Sequence, residues 1–190
     1  MLFRSHKRRR ITDAIAELTA ERGYEATKIG DIVSRAGVAR KTLYDNFGGK
    51  EEVFLAAFDT TADEALQRVQ AACEESGEGW EERVQGALAA FLDFVGEEPA
   101  RARMCMIEAM SATPASGQRY EATVQRFVAL AKDNAPVHEQ LPETIEETLV
   151  GGVAWIVHQK IRRGEAEKAP QLQAELAEFV LAPYRGAAAG

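Results

Sequence analysis

The stretch GVARKTLYDNFGGKEEVF, residues 37–54, decides the fold because it combines a helix-length apolar pattern with a dense group of polar side chains. Its apolar residues recur every four positions and so share one face of a short helix, from about 39 to 46, that can pack inward. These residues are Ala39, Leu43 and Phe47. The other face carries two cations and a phenol, at Arg40, Lys41 and Tyr44.

A second helix precedes this one closely. Thr27 suits its N-cap, and apolar residues line one face up to the turn at Gly37, which forces the two helices to cross. Crossed helices of this kind form a helix-turn-helix, whose second helix enters the major groove of DNA. There Arg can bind guanine, Thr can contact a thymine methyl, and Lys and Tyr suit phosphates. The alternative is an ordinary short helix with a solvated charged face.

Charge is divided unevenly along the chain, which has a formal net charge of −7. Residues 1–50 contain 11 Lys and Arg against 6 Asp and Glu, whereas residues 51–190 contain 12 against 24. This division favours a polyanionic partner for the N-terminal part alone.

Composition excludes several classes of protein. An apolar fraction of 46% is enough to build a core, and two cysteines are too few for a disulfide scaffold or a zinc site of their own. No apolar run approaches the roughly 18 residues that span a bilayer, and no secretory signal is visible. We therefore expect a reduced, cytoplasmic protein without membrane contact.

Helical periodicity continues through the rest of the sequence, and strand-like alternation is absent. Segments 8–22 and 141–163 suit helices, another begins near Lys50, and the last ends near Pro183. The sequence predicts an all-α fold of about nine helices. We expect a helix-turn-helix domain with a basic N-terminal arm at 1–49, a second helical domain at 50–186 and a disordered tail at 187–190.

The stretch from Arg10 to Phe58 resembles the DNA-binding domain of the TetR family of transcriptional regulators. The resemblance rests on RGYEATKIGDIVSRAGV, residues 22–38, followed by TLYDNFGGKEEVF, residues 42–54. Beyond residue 60 it is mainly architectural. It implies a sequence-specific DNA-binding regulator, most often a repressor that a small molecule releases from a palindromic operator. A ligand-independent architectural or division-related DNA-binding protein of the same fold is the alternative.

The resemblance also implies roles for single residues. Family members contact phosphates at the start of the second helix and read bases from the third, and the fourth helix can meet a phosphate at its N-terminus. The matching positions here are Thr27, Lys28, Arg40, Lys41, Thr42, Tyr44, Asn46 and Lys50. Asn46 stands where the family usually has His, and Ala39 where many members have Ser or Thr.

The N-terminal run RSHKRRR, residues 4–10, has two interpretations. It can act as an arm that follows the phosphate backbone or enters the minor groove. Alternatively, it is a solvated tail whose charges raise non-specific affinity.

In the TetR family the C-terminal domain dimerises and commonly encloses a small-molecule pocket, so the resemblance implies a homodimer and a largely apolar ligand. Plain core packing is the competing interpretation for each apolar candidate. The pocket candidates are Phe91, Val95, Met104, Met110, Tyr120, Phe127, Trp155 and His158. The dimer candidates on the last two helices are Gly151, Gly152, Val153, Ile156, Leu172, Leu176 and Phe179.

An enzyme is not expected. The sequence lacks a paired Glu-x-x-His motif, HExxH, a glycine-rich phosphate loop and a GxSxG elbow. Its histidines, His6, His138 and His158, are scattered, so no metal site and no cofactor is predicted. Cys105 can serve as a redox switch or as an inert buried thiol.

Overall fold

The computed structural model describes residues 2–136 and 140–188, so His138 and the end of the predicted tail lie outside the described residues. Within these ranges the regular structure is helical throughout. The α-helices are α1 (Leu2–Arg22), α2 (Ile29–Ala36), α3 (Arg40–Tyr44), α4 (Lys50–Glu75), α5 (Trp80–Glu97), α6 (Pro99–Arg103), α7 (Ala109–Ala112), α8 (Pro114–Asn134), α9 (Ile145–Arg162) and α10 (Gln173–Ala188). A 3₁₀ segment, Ala166–Leu172, precedes α10.

A π-helical segment, Met104–Glu108, joins α6 to α7 without a break. Such π segments inside α-helices often accompany functional sites. With residues 99–112 counted as one helix, the described part of the chain contains nine. The predicted all-α fold is therefore confirmed.

Two compact units divide the chain. The first comprises Met1–Ala62 and Ala100–Tyr120, and the second comprises Asp63–Pro99 and Glu121–Gly190. In the first unit, α1 to α4 enclose a core to which Met104 and Ala109 contribute from the later segment. Leu43 and Phe47 are buried in this core, as their spacing predicted.

The core of the second unit is formed by residues of α5, α9, α10 and the 3₁₀ segment. Its buried members include Leu92, Val95, Val157, Ile161 and Leu181. At one end of α10, the Trp80 and Tyr184 rings lie 4.6 Å apart, and the Tyr184 hydroxyl donates to Glu146 at 2.8 Å. These contacts anchor the C-terminal turns of α10.

Three sequence-based boundaries differ from the structure. The N-cap of α2 is Lys28, not Thr27, because the Asp31 carboxylate accepts the Lys28 backbone N–H at 3.0 Å. Ala39 is an exposed N-cap of α3 and does not pack inward. The last helix passes through Pro183 to Ala188, since the buried Tyr184 just beyond the proline holds the chain in place.

Candidate nucleic-acid interface

The turn between α2 and α3 sets the crossing of the two helices. Gly37 closes α2 in the left-handed conformation, at φ 60°, and its N–H bonds the Ser34 carbonyl. Only glycine adopts this conformation at little cost, which explains the residue found there. Ala39 then opens α3 from extended backbone.

The outward side of α3 carries the basic face predicted from the sequence. Arg40 and Lys41 are exposed, Tyr44 is 47% exposed, and Thr42 is half-buried. No ion pair within the described residues engages Arg40 or Lys41, so both cations are available to an anionic partner. We call Arg40, Lys41 and Tyr44 the α3 basic face.

The predicted phosphate contacts at the start of α2 differ from each other. Thr27 is 1% exposed, and its hydroxyl donates to the Gly23 carbonyl at 2.9 Å. That hydroxyl stabilises the turn after α1 and is not presented to a phosphate. Lys28 is exposed and lies at the N-terminus of α2, where both its charge and the helix dipole attract anions.

Asn46 and Lys50 are already engaged within the chain. Asn46 Nδ2 donates to the Thr42 carbonyl at 2.7 Å. The Lys50 ammonium donates to the Tyr24 carbonyl at 3.1 Å and lies 3.9 Å from the centre of the Tyr24 ring. The Gly48 N–H before α4 donates to Glu52 at 2.6 Å, so a carboxylate occupies this N-terminus.

Charged contacts that sequence reasoning missed hold α1 and α2 together. Arg35 on α2 forms a bidentate contact with Glu21 at 2.8 and 2.9 Å and also reaches Glu17 at 2.9 Å. The Arg35 hydrogen bond lowers the pKa of Glu21. Arg35 therefore serves the fold of the unit and not the basic face. The spacing of Glu17 and Glu21, one helical turn apart, was the available signal.

The π segment contributes a contact to the same turn. Glu108 accepts the Tyr24 backbone N–H at 3.1 Å, just after Gly23 ends α1 at φ 83°. Tyr24 also packs edge-on against Phe54 at 4.8 Å. The turn that leads into α2 is thus held by side chains from two other segments, a contact that no sequence motif indicated.

The pocket candidates are distributed over both units. Met104 is fully buried in the first core, Tyr120 packs against that core, and Met110 is exposed. In the second unit Val95 is buried, and the Phe91 and Phe127 rings meet edge-on at 5.9 Å. Trp155 is exposed and stacks on His158 with centroids 5.7 Å apart.

The dimer candidates are divided in the same way between core and surface. Leu176 is buried within the unit, and Val153 and Leu172 are half-buried. A Cβ on Gly152 would lie 2.8 Å from the Phe179 ring, so glycine permits this contact between α9 and α10. Trp155 is 60% and Phe179 44% exposed. We call Gly151, Trp155, Ile156 and Phe179, all exposed, the α9–α10 apolar face.

No group of three or more His, Cys, Asp or Glu among the described residues could hold a metal ion. No helix in the described ranges is long and apolar enough to cross a bilayer. Burial raises the pKa of the Cys105 thiol to about 12, which keeps it protonated near neutral pH.

The helix-turn-helix segment matches a known family of DNA-binding proteins. Residues 11–57 match the model of bacterial regulatory proteins of the tetR family. The HTH-type transcriptional activator FasR of Mycolicibacterium smegmatis is 32% identical over 94 residues, which is 50% of this chain. The match spans only 42% of the FasR length.

Solved structures share the fold over nearly the whole chain. The fatty acid degradation regulator FadR of Bacillus halodurans has a TM-score of 0.82 at 17% identity, covering 92% of this chain and 94% of its own. FadR of Bacillus subtilis, solved with stearoyl-CoA, has a TM-score of 0.77 at 17% identity, with coverages of 90% and 96%. A TetR-like regulator from Rhodococcus sp. RHA1 has a TM-score of 0.71 at 24% identity, with coverages of 93% and 96%. The chain thus carries a TetR-family domain of bacterial regulatory proteins at residues 11–57 and has the fold of that family's solved regulators.

Proposed function

We propose that the protein is a sequence-specific DNA-binding transcriptional regulator that acts as a homodimer. The observation that carries the proposal is the α3 basic face, which stands exposed above the buried Leu43 and Phe47. Arg40, Lys41 and Thr42 read bases, while Tyr44 and Lys28 bind phosphates. Asn46 stabilises the end of α3, and Lys50 stabilises the start of α4. Each already donates one hydrogen bond within the chain, so only its remaining N–H groups can bind a phosphate.

The homodimer rests on the α9–α10 apolar face. The exposed Trp155 indole and Phe179 ring leave apolar area in water, which a second copy would cover. Two α3 helices related by a twofold axis would then meet a palindrome whose half-sites lie about one DNA turn apart. We therefore propose a palindromic operator, with residues 1–49 as the reading domain and 50–186 as the dimerisation and ligand domain.

A fatty acyl-CoA is the proposed ligand class, and it releases the protein from its operator as a repressor. The support is that FadR of Bacillus subtilis shares the fold and was solved with stearoyl-CoA. The half-buried Phe91 and Phe127 provide apolar walls in the second unit, suited to an acyl chain. FasR is described as an activator, so the sign of regulation needs its own test.

Selection of bound fragments from random DNA, at near-physiological salt, tests the DNA-binding proposal. A recovered palindrome supports it, whereas sequence-independent, salt-sensitive binding alone favours the architectural alternative. Fluorescence anisotropy on the recovered operator then tests the ligand. Stearoyl-CoA should release the DNA, while free CoA and stearate, which lack the chain or the nucleotide, should not. A promoter fused to a reporter distinguishes repression from activation.

A further inference from the structure

The basic run at residues 4–10 lies within the first turns of α1, and its cations do not share the same contacts. Arg8 Nη1 donates to the Asn46 carbonyl at 3.1 Å, and the Arg8 guanidinium lies 4.3 Å from the centre of the Phe47 ring. Arg10 Nη2 donates to the Gly37 carbonyl at 3.2 Å. The two arginines thus reach Gly37, in the turn three residues before α3, and Asn46, two residues after its end.

α3 needs such external contacts because it has only five residues. Helices this short are unstable alone, and their terminal carbonyls lack intrahelical partners. Guanidinium groups near a C-terminus satisfy such carbonyls and oppose the negative end of the dipole. Arg8 donates to the Asn46 carbonyl, two residues beyond Tyr44 at the end of α3, and its guanidinium also stacks on the buried Phe47 ring.

The Arg10 contact depends on the glycine of the turn. A Cβ on Gly37 would lie 2.5 Å from Arg10 Nη2, so any larger residue would displace the guanidinium. The positive φ at Gly37 independently favours glycine. One residue therefore permits both the turn and the charge-assisted hydrogen bond that holds it.

The neighbouring cations of the run are placed differently. Lys7 is exposed, and the Arg9 side chain makes a long 3.7 Å contact with Asp13, with side chains 80% and 48% exposed. Lys7 and Arg8 carry equal charge at adjacent positions. Lys7 is thus a matched control for removing charge without removing a contact to the α3 region.

We infer that Arg8 and Arg10 are positioning residues that fix α3 at both of its ends, and that they determine base discrimination without contacting DNA. The inference rests on the proposed DNA-binding function. The basic run then has two roles. Its exposed cations raise affinity for any DNA, whereas Arg8 and Arg10 hold the helix that reads the base sequence. Loss of either should therefore reduce the preference for operator over unrelated DNA.

The test compares Arg8→Gln, Arg10→Gln and Lys7→Gln in the full-length protein, on an operator and on an unrelated duplex of equal length, over a range of salt. Lys7→Gln should weaken both duplexes alike and, if Lys7 meets one phosphate, flatten the slope of log K against log salt by about 0.9. Arg8→Gln and Arg10→Gln should keep the slope on unrelated DNA. Their operator preference should fall by about tenfold, which corresponds to about 1.4 kcal/mol. Arg10→Lys, which keeps a charged donor, should recover part of that preference.

The inference would be overturned if the arginine variants lost affinity equally for operator and unrelated DNA and showed a flatter slope of log K against log salt. Arg8 and Arg10 would then be phosphate contacts. Backbone hydrogen exchange without DNA provides a readout that does not depend on the proposed function. Exchange over residues 40–47 should accelerate in Arg8→Gln and Arg10→Gln but not in Lys7→Gln. Unchanged exchange in all three variants would refute the positioning role. A wild-type protein without operator preference would instead refute the proposed function.

Discussion

The first unit exposes charge where the second exposes apolar rings. On α3, Arg40 and Lys41 lie in water above the buried Leu43. On α9 and α10, Trp155 and Phe179 lie in water although their area would be better buried. An exposed cation is solvated by water, so the absence of its partner costs no free energy. Exposed aromatic rings, by contrast, are more stable when another surface covers them. The first surface suits a partner that comes and goes, and the second suits one that stays.

The largest effect is expected from a substitution in the core beneath the α3 basic face. Leu43→Ala should lower the free energy of unfolding by about 2–5 kcal/mol and abolish operator binding, because the cavity forms directly under α3. Leu176→Ala, at an equally buried leucine of the second unit, should cost a similar amount. Denaturant unfolding and anisotropy measure the two quantities. Wild-type operator affinity in Leu43→Ala would show that α3 is not the reading helix.

A charge placed on the α9–α10 apolar face should break the dimer. We expect Trp155→Glu to weaken self-association by about 2 kcal/mol or more, the usual scale for a central interface aromatic. Light scattering after size-exclusion chromatography should then report the mass of one chain. Gln85→Glu introduces the same charge at an exposed position of α5 and should leave the dimer intact. If the Trp155→Glu variant remained a dimer, the α9–α10 apolar face would not be the dimer interface.

Within the basic face, Arg40→Ala should weaken operator binding by about 1–3 kcal/mol and relax base choice at one position of each half-site. Lys28→Ala should instead weaken all sequences alike and reduce the salt slope, since phosphate contacts carry no sequence information. Competition binding against single-base operator variants measures both. Uniform losses for Arg40→Ala would mean that this side of α3 meets phosphates.

The fold was predictable because periodicity and turn residues record local packing directly. The spacing of Leu43 and Phe47, the stop at Gly37 and the start of α4 at Lys50 all agree with the structure. Internal engagement of polar groups was not predictable. Nothing in the sequence indicates that Lys50 donates to the Tyr24 carbonyl, because that contact joins residues 26 positions apart.

The same reason explains why the basic run and the second unit were harder to interpret. Arg8 and Arg10 resemble any other cations until α1 is packed against the α3 region. Apolar residues on α9 and α10 share one periodicity, whether buried like Leu176 or exposed like Trp155. Periodicity identifies a face, and only the packed structure shows whether another part of the chain covers it.

The smallest expected effect concerns the contacts that orient the helices under the basic face. The Arg35 hydrogen bond lowers the pKa of Glu21 in the folded state, so this pair stabilises the protein above the unfolded glutamate pKa of about 4.3. Its contribution is lost as pH falls through the lower folded pKa. Glu21→Gln should therefore melt slightly earlier than wild type at pH 7, and the difference should vanish in acid. Thermal unfolding from pH 7 to 3 measures it, with Glu25→Gln, at another exposed glutamate of the same unit, as control. A difference that persists at the lowest pH would show that the Glu21 carboxylate charge is not what Arg35 recognises.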